Sequence, residues 1–129
     1  MTVVKTFGVF SFFFVSVLLL GAQNVNAQRT QLDWDGLIDD EASLIIRYRT
    51  VVVRTISGQR NGQGHSQWSG RRPRNGRLSA PVNLNRRGGR GRVWVQSSPS
   101  ALNGWTTVIR ISDPRGGPDR YRLRLRWRS

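Results

Sequence analysis

Twenty arginines, one lysine and one histidine stand against seven acidic residues in 129 positions, with no cysteine. A general base or nucleophile needs partners, and His65 has none of its kind; its neighbour Ser66 is too close in sequence to complete a triad. The acids Asp33, Asp35, Asp39, Asp40 and Glu41 fall within nine residues. Asp33, Asp35, Asp39 and Asp40 form a weak calcium candidate, because hard cations take several oxygen ligands. The spacing lacks the D-x-D-x-D-G run of an EF-hand loop, so a turn whose carboxylates meet arginines is the stronger reading. No cofactor is expected, and the absence of cysteine removes thiolate metal sites and disulfides.

The arginines carry the main chemical signal. Planar guanidinium forks bind phosphate, sulfate and carboxylate through two parallel hydrogen bonds and stack on rings. Arg47, Arg49, Arg92, Arg110, Arg122, Arg124 and Arg126 are the candidate polyanion-binding set, all read as outward on strands. Trp94 and Trp68 are the candidates for stacking on a base or sugar ring.

These side chains need strands to hold them. Tyr121, Leu123, Leu125 and Trp127 alternate with Arg120, Arg122, Arg124, Arg126 and Arg128, a period of two that separates an apolar face from a guanidinium face. Similar strands are expected over 32–38, 44–49, 51–56, 82–86, 92–96 and 105–111, about seven in all. Val93 and Val95 should point inward with Trp94 outward. Trp34, Trp105 and Trp127 are expected in the core. Gly88-Gly89 reads as a tight hairpin turn, and the Pro- and Gly-rich 113–119 segment as the connection between the last two strands. Residues 57–79, with five Arg and five Gly, read as a long loop. The expected fold class is therefore all-β, a small antiparallel β-sandwich of immunoglobulin-like size.

Residues 1–27 stand apart. Lys5, the apolar run over 6–22 and Val25-Asn26-Ala27 fit a secretory signal peptide cleaved after Ala27. The run of 17 residues is short of the roughly 20 that a membrane-spanning helix needs. The remaining domain, 28–129, keeps 20 Arg and all seven acids, a net +13. Such a charge points to an anionic polymer or acidic surface as partner. Secretion or a periplasmic location turns the reading away from intracellular nucleic acid, and no transmembrane span is expected after cleavage. The leading functional expectation is an exported, non-enzymatic polyanion-binding module. A structural or interaction module of the cell envelope, and a carbohydrate-binding module using exposed Trp with calcium, are the alternatives. The sequence leaves the oligomeric state open.

Overall fold

The computed structural model describes residues 29–73, 75–115 and 117–128, so the leader and its cleavage point lie outside the described residues. Eight strands follow one another: β1 (Thr30–Ile38), β2 (Asp40–Arg47), β3 (Thr50–Ser57), β4 (His65–Gly70), β5 (Ser79–Arg87), β6 (Arg92–Ser97), β7 (Thr106–Asp113) and β8 (Asp119–Arg128). A single turn of 3-10 helix, Ala101–Asn103, is the helical element among the described residues. The strands form two antiparallel four-stranded sheets, ordered β4-β1-β8-β5 and β3-β2-β7-β6. The chain is all-β, in the two-layer arrangement of a sandwich. No helix among the described residues is long and apolar enough to cross a membrane.

The two sheet orders are the same pattern written twice. β1 pairs with β8 and β4 in one sheet, and β2, its continuation, pairs with β7 and β3 in the other. The molecule is thus four long strands, each bent near its middle, in a ribbon folded over on itself. The bends fall at Asp39, 58–64, 88–91 and 114–118, and hydrogen bonds tie them together. Asp39 N donates to Asn61 Oδ1 at 2.8 Å, and Gly91 N donates to the Tyr121 hydroxyl at 2.8 Å. This bend end lies opposite an open end formed by the β2–β3 hairpin, the 71–78 and 98–105 connections, the start of β1 and the end of β8.

Period-two alternation builds the core as expected. Leu32 and Trp34 of β1, Leu44 and Ile46 of β2, Ile109 and Ile111 of β7, and Tyr121, Leu123, Leu125 and Trp127 of β8 are all buried. They belong to the two central strands of each sheet. Trp68, Val82, Leu84, Val93 and Val95, from outer strands, are half-buried against them. Burying side chains on both layers drives the ribbon closed.

Several expectations need correction. There are eight strands rather than seven, because β4 lies inside 57–79. Its alternation is nearly all polar, Trp68 being its one large apolar residue, so hydrophobic periodicity does not reveal it. The order is not that of an immunoglobulin domain, where the first two strands share a sheet; here β1 and β2 lie in different sheets. Gly88 and Gly89, with φ of 83° and 75°, form a sheet-to-sheet corner instead of a hairpin turn. A Cβ on Gly89 would lie 2.0 Å from the Tyr121 ring, so this corner needs glycine for closeness as well as for its dihedral angle. Asp39 and Asp40 do turn the chain, Asp40 at φ 61°, but the turn crosses between sheets and Glu41 already lies in β2. Trp105 precedes β7 and is half-buried, outside the core in which Trp34 and Trp127 sit.

Candidate functional site

The seven candidate arginines occupy three separate surfaces. Arg122, Arg124 and Arg126 point outward from the first sheet. Arg92 and Arg110 point outward from the second, on the opposite side of the sandwich. Arg47 and Arg49 stand at the β2–β3 hairpin at the open end.

On the first sheet the register sets polar residues in rows across four strands. His65, Asp35, Arg122 and Arg87 form one row; Gln67, Asp33, Arg124 and Asn85 the next; Ser69, Gln31, Arg126 and Asn83 the third. Opposite charges directly across a strand pair attract, and the arginines take those partners. Arg124 Nε donates to Asp33 Oδ1 at 2.8 Å, and Arg126 Nε donates to Gln31 Oε1 at 3.0 Å. Arg120 holds both oxygens of Asp35, at 2.8 and 2.6 Å, with Arg122 3.6 Å away. The hydrogen bonds from Arg120 hold the Asp35 carboxyl below its ordinary value. Burial pushes Asp33 upward, but hydrogen bonds from Arg124 and Gln31 and the charges of Arg124 and Arg126 outweigh it, leaving that carboxyl lowered too.

The second sheet behaves alike. Arg110 places Nε and Nη2 on Glu41 Oε2 at 3.1 and 2.8 Å, and the other Glu41 oxygen accepts from Ser112. Arg92 lies over the Trp94 ring, 5.0 Å from its centroid. Trp94 does point outward, 37% exposed. Trp68 is not available as an outer stacking platform, because it stacks on the core residue Trp127 at 5.6 Å.

The acidic run does not close into a metal cage. Asp33 and Asp35 are strand residues held by arginines, Asp39 sits at the bend, and Asp40 Oδ2 accepts from Ser57 Oγ at 2.7 Å. Among the described residues no group of three or more His, Asp or Glu side chains could hold a metal ion. His65 and Ser66, adjacent on β4, point to opposite faces of their sheet.

At the bend end Asp113 is buried, with Oδ2 accepting from the Tyr121 hydroxyl at 2.6 Å. Burial and the nearby Asp119 carboxyl raise its pKa despite the tyrosine hydrogen bond. Tyr121 is pushed up to about 12 by burial and by its bond to Asp113. Asp113 Oδ1 is buried with no partner among the described residues.

Viewed along the strands, the acids are gathered toward one end, which reading along the chain does not reveal. Asp39, Asp40, Glu41, Asp113 and Asp119 cluster at the bend end, while Asp33 and Asp35 sit within β1. Asp33, the carboxylate nearest the open end, is held by Arg124. Beyond it lie Arg29, Arg47 and Arg49, then Arg71, Arg72 and Arg77 after β4, then Arg126 and Arg128 at the end of β8, none of them in an ion pair with an acidic side chain among the described residues.

This end is well built. Thr30 Oγ1 donates to Arg71 O at 2.6 Å, and Arg71 N donates to Arg29 O at 3.3 Å. Leu78 is buried and anchors the 71–78 segment. Asn103 braces the 98–105 segment, accepting from Ser100 N and Thr106 N and donating to Ser98 O and Thr106 O. Tyr48 and Trp105 adopt φ of 55° and 60°, a region that bulky residues rarely enter. Each carries an arginine on its ring: Arg47 lies 5.3 Å from the Tyr48 centroid and Arg77 5.7 Å from that of Trp105.

Comparison with protein-family models, with curated proteins and with solved structures finds no match to this chain.

Proposed function

We propose that this chain is an exported, non-enzymatic module that binds polyanions with the open end of its sandwich. One observation supports the reading: eight arginines at the open end form no ion pair with an acidic side chain among the described residues, whereas Asp33, Asp35 and Glu41 hold guanidiniums on the two sheet faces. Unneutralised guanidiniums held on braced loops attract anionic groups, and each group bound releases counterions. Arg47, Arg49, Arg71, Arg72 and Arg77 lead the site, with Arg126 and Arg128 beside them. The ligand class includes anionic polysaccharide, lipid phosphate, extracellular nucleic acid and acidic protein surfaces. Export rests on Lys5, the apolar run over 6–22 and Val25-Asn26-Ala27, which support a signal cleaved after Ala27 and a secreted or periplasmic protein.

Heparin serves as the probe. Its affinity should fall linearly with the logarithm of salt concentration, with a slope that counts contacts. Changing Arg47, Arg71 and Arg72 together to Gln should lower that slope by about two to three. Changing Arg110, Arg120 and Arg124 together should lower it by less than about one, because acids already occupy those guanidiniums. Equal losses from the two sets would leave diffuse charge in place of a site. No binding at about 50 mM salt would end the polyanion reading.

A further inference from the structure

We infer that the concavity between Arg71, Arg72, Asn75, Arg77 and Trp105 receives a sugar ring carrying sulfate or phosphate beside free hydroxyls. This deepens the polyanion reading and rests on it. The concavity has a volume of about 420 Å³, and Arg71, Arg72, Asn75, Arg77, Ser79 and Trp105 line it. That is within the size of small-molecule sites and suits one substituted ring.

Trp105 is the first argument. Its φ of 60° suits glycine and strains a tryptophan, yet the ring does not repay that strain by entering the core. Trp105 N donates to Ser100 O at 2.7 Å, and the Asn103 bridges fix the loop around it, so the indole is held at the concavity wall. A ring fixed in a strained backbone, with Arg77 over it and Arg71 and Arg72 lining the same concavity, has the form of a mixed aromatic and cationic ligand wall.

The rest of the lining divides the chemistry. Arg71, Arg72 and Arg77 offer forks for anionic oxygens. The Asn75 Oδ1 accepts from Arg77 N at 3.1 Å, which leaves its NH2 to donate. The Ser79 hydroxyl both donates and accepts. A bare inorganic anion would use the forks alone. A nucleic-acid strand uses successive stacking platforms, and this concavity has one indole. Charged forks, neutral hydrogen-bonding groups and an indole that already carries the Arg77 guanidinium 5.7 Å from its centroid together match an anionic saccharide.

The experiment titrates the full chain with a sulfated disaccharide, with a single-stranded oligonucleotide of matched charge, and with heparin. Saturable disaccharide binding is expected. Trp105→Gly should weaken it about tenfold while leaving the melting temperature unchanged or raised, since glycine adopts this φ freely. Asn75→Ala should weaken the disaccharide while leaving the heparin salt slope in place, a second readout should the glycine variant fold poorly. Arg124→Gln on the first sheet should leave disaccharide affinity unchanged. If heparin binds with its salt dependence but the disaccharide does not, the ring site falls and the open-end reading stands. If the oligonucleotide binds as tightly as the disaccharide and loses as much in Trp105→Gly, the saccharide assignment is overturned. If neither heparin nor disaccharide binds, both readings fall together.

Discussion

The two ends of the sandwich are made from one ribbon, yet they handle charge in opposite ways. At the bend end carboxylates are numerous and partnered: Asp119 faces Arg90 at 3.4 Å, Asp113 meets Tyr121, and Asp40 meets Ser57. At the open end arginines collect without an ion pair to an acidic side chain among the described residues, braced by backbone and amide hydrogen bonds instead. Each bend is a corner where one ribbon strand changes sheets, and the four corners share one end, so their polar groups find partners locally. The open end carries the two longest connections, 71–78 and 98–105, which can present charge to a partner. An arginine-rich composition therefore says little about where a ligand would bind; the position of the acids decides it.

The core joins both ends, and its loss should have the largest effect. Leu125→Ala removes a fully buried side chain from the central strand β8 and should cost about 2–5 kcal/mol of stability by chemical denaturation. A loss below about 1 kcal/mol would mean that β8 does not bind the two ends into one folding unit.

Tyr121→Phe sharpens the contrast next, because it touches the bend end alone. It leaves Asp113 Oδ2 and Gly91 N without the hydroxyl that serves both, at a cost of about 1–3 kcal/mol. Heparin affinity should not change, since the hydroxyl belongs to the acidic end. A parallel loss of heparin affinity in a variant that remains folded would show the ends to be coupled.

The acidic end should also report itself through pH. Asp113 has its folded pKa raised, so it contributes stability fully present below the ordinary aspartate value, and that stability is lost as pH rises through the raised value. Asp33 has its folded pKa lowered, so its contribution is present above the ordinary value and is lost as pH falls through the lowered one. Thermal melts from acid to neutral pH should show Asp113→Asn removing the decline on the alkaline side and Asp33→Asn removing the decline on the acid side. Matching profiles for the two variants would contradict these opposite environments.

The smallest effect is expected on the first sheet. Asp33 and Arg124 form a partly exposed pair, and Arg124→Gln should cost about 0.2–1 kcal/mol in a denaturation series. A cost rivalling that of Leu125→Ala would place the guanidinium, rather than the leucine, at the centre of sheet stability.

Much of this was legible along the chain. The period of two in 121–127 separates Leu123 and Leu125 from Arg122, Arg124 and Arg126, and burial follows it. The valines around Trp94 do the same for β6. Such patterns are local, because a strand sends alternate side chains to opposite faces whatever its neighbours are. β4 was not legible, since an outer strand with polar residues on both faces lacks that contrast; Trp68 was its one clue. Pairing was hidden too. Asp33 and Arg124 are 91 positions apart, and sequence contains nothing that sets one beside the other. The sequence determined an all-β chain, its apolar faces and its excess of arginine. The tertiary structure alone decided which arginines meet an acid, because the bends at Asp39, 58–64, 88–91 and 114–118 bring distant strands into register and carry five of the seven acids to one end.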